Sequence, residues 1–131
     1  MIPRADFIAA VRTCVGTPTG HMGRTIGRSL DCCGVVWAAL DAIGLATKPT
    51  ITYRALPCAD VTERGLLEFA DRTETIEDAH LWQVAIGKQA RHIVVPVGDG
   101  LVVHACAKRR EVVCERWVRP ILGLWRLRGV A

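Results

Sequence analysis

Apolar and polar positions change their period partway along the chain. Over residues 3–13, PRADFIAAVRT, Phe7, Ile8 and Val11 share one face at the i, i+3, i+4 spacing of a helix, with Pro3 in a first turn. Residues 15–30, VGTPTGHMGRTIGRSL, hold Gly16, Pro18, Gly20, Gly23 and Gly27 and read as a loop. A loop of that length in a small domain is usually functional or disordered. From Cys32 to Ile43 the apolar positions run almost without a break, which predicts a buried helix over 31–44. Asp31 is a good N-cap for it and Gly44 a fitting stop. Residues 45–60, with Pro49 and Pro57, read as a surface connection. A third helix is predicted over about 60–71, with Val61, Leu66, Leu67 and Phe69 apolar.

Beyond residue 80 the pattern shortens and fills with Val and Ile. LWQVAI, HIVVPV, LVVHAC and EVVC read as strands, and a last strand is expected over 123–128 after a turn at Pro120. VGDGL between the second and third is a hairpin signal. Helices first and an antiparallel sheet afterwards argue for an α+β fold. No internal repeat or low-complexity segment interrupts the order, so residues 1–131 read as a single domain.

Half of the chain is hydrophobic, which excludes a disordered protein. Only seven residues are Phe, Tyr or Trp, four of them Trp, so the core must be built mainly of Val, Leu, Ile and Ala. No stretch approaches the roughly 20 apolar residues of a membrane span. The start, MIPRADFIAAVRTC, has Arg4 and Asp6 where a signal peptide would be apolar, so folding in a cytosol is expected. Six cysteines are many for such a chain, but no CxxC pair or finger-like spacing organises them. Neither a metal nor another cofactor is expected, and a disulfide framework is not. Cys106 and Cys114 have a spacing that would let them meet across a hairpin. The net charge of +4 thickens toward the end, through Lys108, Arg109, Arg110, Arg116, Arg119, Arg126 and Arg128. A solvated face accounts for it, with attraction to an anionic polymer as the sharper reading. No aromatic interleaving supports nucleic-acid binding.

The chemistry concentrates in SLDCCGVVWAAL, residues 29–40. A thiol at a helix N-terminus gains from unpaired N–H groups and the helix dipole, both of which favour a thiolate. The same N–H groups can receive an oxyanion in acyl transfer. Cys32 takes the first helical position, and Cys33 lies about 100° further round. One should face the loop-lined cleft and the other the packing. Asp31 opposes the thiolate by its charge. His92 and His104 flank the VGDG turn. A three-residue loop, Gly98 to Gly100, pairs Val97 with Leu101 and puts both histidines on one face, where one imidazole can act as base and the other orient it. A two-residue loop would separate them. His21 in the glycine-rich loop is placed to line a cleft, and His80 is expected at an exposed strand edge.

These segments resemble the NlpC-type cell-wall peptidases of the papain-like superfamily, especially the short forms of tailed phages and gene-transfer particles. VGTPTGHMGRTIGRSLDCCGVVWAAL is similar to the family's LGTPY-H-GR…DC-GL block, ARHIVVPVGDGLVVHAC to HVGI-LGDG-FIHA, and RWVRPILGLWRLRG to W-RR--GAFRFPG. The likeness runs nearly end to end. It implies a papain-like NlpC fold, with N-terminal helices packed on an antiparallel sheet. It implies Cys32 as nucleophile, His92 as general base and His104 as the group that orients it, with Cys33 a packing residue. Thr19, His21 and Asp31 would fall on the substrate side. The implied substrate is an amide bond in a peptidoglycan stem peptide, typically beside D-glutamate. The implied partners are phage tail hub or tail-tip proteins, with synthesis in the bacterial cytoplasm, assembly into a virion tail or similar particle, and action at the cell wall. Three departures stand out: Thr19 replaces the usual Tyr, the Gly-Asp before the first strand is missing, and Pro96 interrupts the His92 strand, which must then be an edge or carry a bulge. The alternatives are a catalytically inactive structural tail-tip subunit and an acyltransferase using the same groups.

Overall fold

The computed structural model describes residues 1–45 and 59–131. The expected connection, with Pro49, Pro57 and Cys58, lies almost wholly outside the described residues. Helix α1 spans Arg4–Arg12, with Pro3 as its N-cap, and buries Phe7, Ala10 and Val11. The glycine-rich segment is folded rather than disordered. It forms a two-stranded ladder, β1 (Arg24–Thr25) with β2 (Ser29–Leu30), and isolated bridges tie Thr19 to Leu30 and Pro18 to Glu111. Helix α2 spans Cys32–Ala42 and buries one residue after another, as its nearly continuous apolar run requires. Gly44 follows at φ +80°, the left-handed position in which a glycine ends a helix without strain.

Helix α3 spans Ala59–Leu67, shorter than the pattern predicts. Residues Ala70–Arg72 leave it to form β3, because β8 (Ile121–Leu127) offers a free edge with which they pair. Four more strands, β4 (Leu81–Ile86), β5 (Gln89–Gly98), β6 (Leu101–Cys106) and β7 (Glu111–Arg116), complete an antiparallel sheet in the order β3-β8-β4-β5-β6-β7. The final strand thus begins two residues before the expected one. The β5 strand lies between β4 and β6, but its pairing with β4 ends at Val94, and Pro96 falls beyond that ladder, next to a bulge between Pro96 and Gly98 on the β6 side.

Alternate residues of β5 divide between two apolar clusters. Ile93, Val95 and Val97 join the main core with α1, α2 and Trp125. Val94 joins a small cluster with Val84 and Val102, flanked by Trp82 and Trp117. His92 and His104 share the parity of this second set.

His80 is buried, not an exposed edge residue. The Leu127 N–H donates to its Nδ1 at 2.9 Å, so Nε2 carries the proton and donates to the Ala131 carbonyl at 2.9 Å. Two satisfied ring nitrogens make burial affordable for the neutral ring. Burial pushes its pKa below the ordinary 6.5. The unfolded chain therefore binds a proton that the folded chain refuses, and stability falls as pH drops through 6.5. Thermal melts should show a lower Tm at about pH 5 than at about pH 7.5. A His80→Gln variant should show a flatter dependence, and an unchanged slope would remove His80 from the account.

Candidate active site

The site begins at the start of α2. Asp31 is extended (φ −103°, ψ −172°), and its Oδ1 accepts from the Gly34 N–H at 2.7 Å. Arg24 donates to the same oxygen at 2.7 Å, and the Met22 N–H donates to Oδ2 at 3.0 Å. One carboxylate therefore caps the helix and fastens the glycine-rich loop across it. Arg24 also offsets the negative charge beside the thiol. Gly34 is required here for space: a Cβ would land on the Gly23 carbonyl oxygen. Gly34→Ala should lower stability by about 1–3 kcal/mol through overpacking, measured by urea unfolding. A neutral result would mean that the loop moves freely against the helix.

Cys32 lines the cleft and Cys33 does not, and both are partly buried beside the main core. The two thiols nonetheless bear on each other's ionisation. Cys32 is held well below the ordinary thiol value of 9.0, chiefly by the Cys33 thiol that donates to it and next by His92 through hydrogen bonding and charge; burial and Asp31 oppose this. Cys33 is pushed well above 9.0, first by the same interaction with Cys32 and then by burial. The pair is thus asymmetric, with ionisation favoured at Cys32 and opposed at Cys33. Cys14, buried in the core, is pushed up to about 11 by burial.

His92 Nε2 lies 2.8 Å from His104 Nδ1, and His104 Nε2 lies 2.7 Å from Glu115 Oε2. The two rings meet edge to face at 5.1 Å between centroids. Sheet register explains the alignment. Val95 pairs with Val103 and Pro96 with Val102, which sets Val94 opposite His104 and puts His92 one diagonal step away on the same face. The expected three-residue turn is not what closes the hairpin. Gly98 pairs with Leu101 around Asp99-Gly100, both at positive φ as a type I′ turn requires. The bulge at Val97 and Gly98 supplies the extra residue, so the histidines stay together despite the two-residue turn.

Glu115 was not among the sequence candidates. On β7, Val113 pairs with His104 and Glu115 with Val102, so Glu115 is the diagonal neighbour of His104 on its own face. The alternation in EVVCERW carried that signal, which becomes readable only once the β6–β7 register is known. His104 holds Glu115 below its ordinary value by hydrogen bonding, and burial lowers His104, with Glu115 opposing. His104 is therefore neutral beside an ionised carboxylate, and it adds to the acid sensitivity described for His80. A carboxylate only accepts, so His104 donates from Nε2 and must accept at Nδ1. His92 then donates from Nε2, and its Nδ1 is left as the nitrogen that serves the thiol. Trp117 covers His104 edge-on at 5.4 Å.

The cleft has a volume of about 780 Å³, within the common range for ligand sites. Thr19, His21 and Asp31 line it with Cys32, His92 and His104, although both oxygens of Asp31 are already engaged within the protein. His21 is exposed at its rim. Arg91, Lys108, Arg109, Arg116 and Arg119 line it as well, so much of the C-terminal basic charge faces the cleft and is not merely a solvated face. Arg128 is held at the β3 edge by the Leu67, Glu68 and Ala70 carbonyls and by Asp71. Cys106 and Cys114 do not meet: Cys106 pairs with Glu111 and Cys114 with Val103, which sets the two sulfurs on opposite faces. The sequence offered no close set of metal ligands, yet the fold gathers His104, Cys106 and Glu115 with donor atoms within 4.8 Å of one another. No helix among the described residues is long and apolar enough to cross a membrane.

No family model and no curated protein matches the chain. Solved structures do. NlpC2 and NlpC1 from Trichomonas vaginalis superpose with TM-scores of 0.66 and 0.67 at 16% identity, over 95% of this chain. This chain spans only 45% and 44% of those two proteins. The P60 domain of an antigen from M. avium subspecies paratuberculosis matches with a TM-score of 0.64 at 13% identity, over 94% of this chain and 93% of the domain. The peptidoglycan hydrolase RipB from Mycobacterium tuberculosis gives 0.57 at 15% identity, over 95% of this chain and 67% of RipB. With three helices and a six-stranded antiparallel sheet among its described residues, the chain has the fold of the NlpC/P60 domains.

Proposed function

We propose that this protein is a cysteine peptidase that hydrolyses amide bonds in peptidoglycan stem peptides. The observation that carries the reading is the hydrogen-bonded series from His92 through His104 to Glu115, which shares one cleft with Cys32 at a helix N-terminus. The Cys32 thiolate attacks the scissile carbonyl carbon, and the electron pair of the C=O bond moves to oxygen. Among the first-turn N–H groups, Gly34 is taken by the Asp31 side chain and Val35 by the Asp31 carbonyl. The N–H groups of Cys32 and Cys33 are left to receive that oxyanion. His92 Nδ1 gives its proton to the leaving nitrogen as the C–N bond breaks. It then takes a proton from water, which attacks the thioester and releases Cys32. Thr19 and His21 border the scissile position, and the basic rim suits a substrate rich in carboxylates, as stem peptides are.

The fold likeness to a peptidoglycan hydrolase, RipB, agrees with this substrate. The resemblance of the sequence blocks to short phage forms supports delivery in a tail tip, with assembly in the bacterial cytoplasm and action at the wall. The intact relay favours a working peptidase over an inactive structural subunit. The test is digestion of purified peptidoglycan and synthetic stem peptides, with mass spectrometry of the products. New amine and carboxyl ends are expected, together with a thiol-alkylating probe that labels Cys32 first near neutral pH. Intact peptides beside a readily labelled Cys32 would favour the structural subunit, and transfer to an amine in place of water would favour the acyltransferase.

A further inference from the structure

We propose that His104, Cys106 and Glu115 form a site for a thiophilic divalent cation, of which zinc is the type, and that its occupancy switches the relay off. The inference rests on the peptidase reading for its consequence but not for its geometry. His104 and Cys106 are two residues apart on β6 and so project from one face, and the β6–β7 register adds Glu115 to that face. One imidazole nitrogen, one sulfur and one carboxylate oxygen lie within 4.8 Å of each other. A mixed N, S, O set suits zinc, which in open sites takes three protein ligands and leaves the fourth position to water or substrate. All three residues line the cleft, which gives the ion a path in. The other nitrogen of His104 is already held by His92 at 2.8 Å, the kind of outer partner that fixes a ligating ring. Ligand atoms around zinc stand about 3.5 Å apart, so the 2.7 Å bond between His104 and Glu115 has to open by less than about 1 Å.

The consequence follows from proton placement. Metal at His104 Nε2 replaces the proton there, and the Cys106 thiol proton is released to solvent. Neutral His104 must then carry its proton on Nδ1, and it donates that proton to His92 Nε2. His92 is left neutral with its only proton on Nδ1 and its Nε2 occupied as an acceptor. It can neither take the thiol proton nor give up its own without becoming an imidazolate, so the proton shuttle stops. The hydrogen-bond chain keeps its members and reverses its polarity. Cys106 takes no part in the peptidase mechanism, so the metal site can be removed without touching the reacting groups.

The test uses the purified full chain and cobalt(II), whose bond to a thiolate gives a charge-transfer absorption band, followed by zinc competition. A band saturating at one equivalent is expected in the wild type and in Cys32→Ala. Cys106→Ala and Cys106→Ser should lose the band and weaken zinc binding at least about 10-fold, with circular dichroism unchanged. Zinc should inhibit hydrolysis by the wild type, reversibly on adding a chelator, while Cys106→Ala keeps its basal rate and escapes inhibition. A band that survives Cys106→Ala, or that vanishes in Cys32→Ala, would place the metal on the catalytic pair and overturn the proposal. Metal binding through Cys106 in a chain without hydrolase activity would keep the site and refute the peptidase reading, so the two failures are distinguishable.

Discussion

Replacing Cys32 by alanine is expected to lower kcat/KM for stem-peptide hydrolysis by about 10⁴-fold or more, since removing a covalent nucleophile takes away the whole two-step route. Stability should change little, because Cys32 lies at the border of the core and not inside it; a shift within about 1 kcal/mol is expected. The informative control is the adjacent residue. Cys33→Ala removes the thiol that contributes most to keeping Cys32 ionised, so it should slow both alkylation and hydrolysis near neutral pH. It should not abolish them, because His92 and the helix terminus remain. The inflection in alkylation rate against pH should lie well below 9.0 for the wild type and move upward in Cys33→Ala and in His92→Ala. A dead Cys33→Ala beside an active Cys32→Ala would reverse the assignment of the pair.

Glu115→Gln should cost about 100-fold in kcat/KM, less than loss of the nucleophile and more than an exposed surface change. The carboxylate has one task that an amide does poorly. It accepts only, and so compels His104 to place its proton on Nε2. Glutamine can turn its NH₂ toward the ring and favour the opposite tautomer, which then propagates to His92. The loss should fall on kcat more than on KM, and Glu115→Asp should recover part of it if the shorter carboxylate still reaches the ring. Glu115 is one-third exposed, so melting temperature should barely respond. A positioning role also predicts a changed pH–rate profile, since Glu115 opposes the burial that lowers His104. An unchanged rate and profile in Glu115→Gln would confine the relay to the two histidines.

Much of the architecture was legible because it depends on local rules. The i, i+3, i+4 positions of Phe7, Ile8 and Val11, the Asp31 cap and the Val-rich alternation each act over a few residues. The errors came where a choice depends on a distant partner. Residues 70–72 join a strand because β8 has a free edge, not because of their own preference. His80 is buried because Leu127 and Ala131 come to its ring. Cys106 and Cys114 are separated by the β6–β7 register, which spacing along the chain does not report.

The sequence by itself determined the thiol at a helix start, two histidines on successive strands, and a glycine-rich loop before the helix. Only the tertiary structure decided that a bulge at Val97 and Gly98 keeps the histidines on one face, that Glu115 completes their hydrogen bonding, and that Cys106 stands beside them. The physical reason is the two-residue period of a strand. A shift of one residue in pairing turns every side chain to the other face, and that pairing is fixed by hydrogen bonds and packing between segments that the linear order leaves apart.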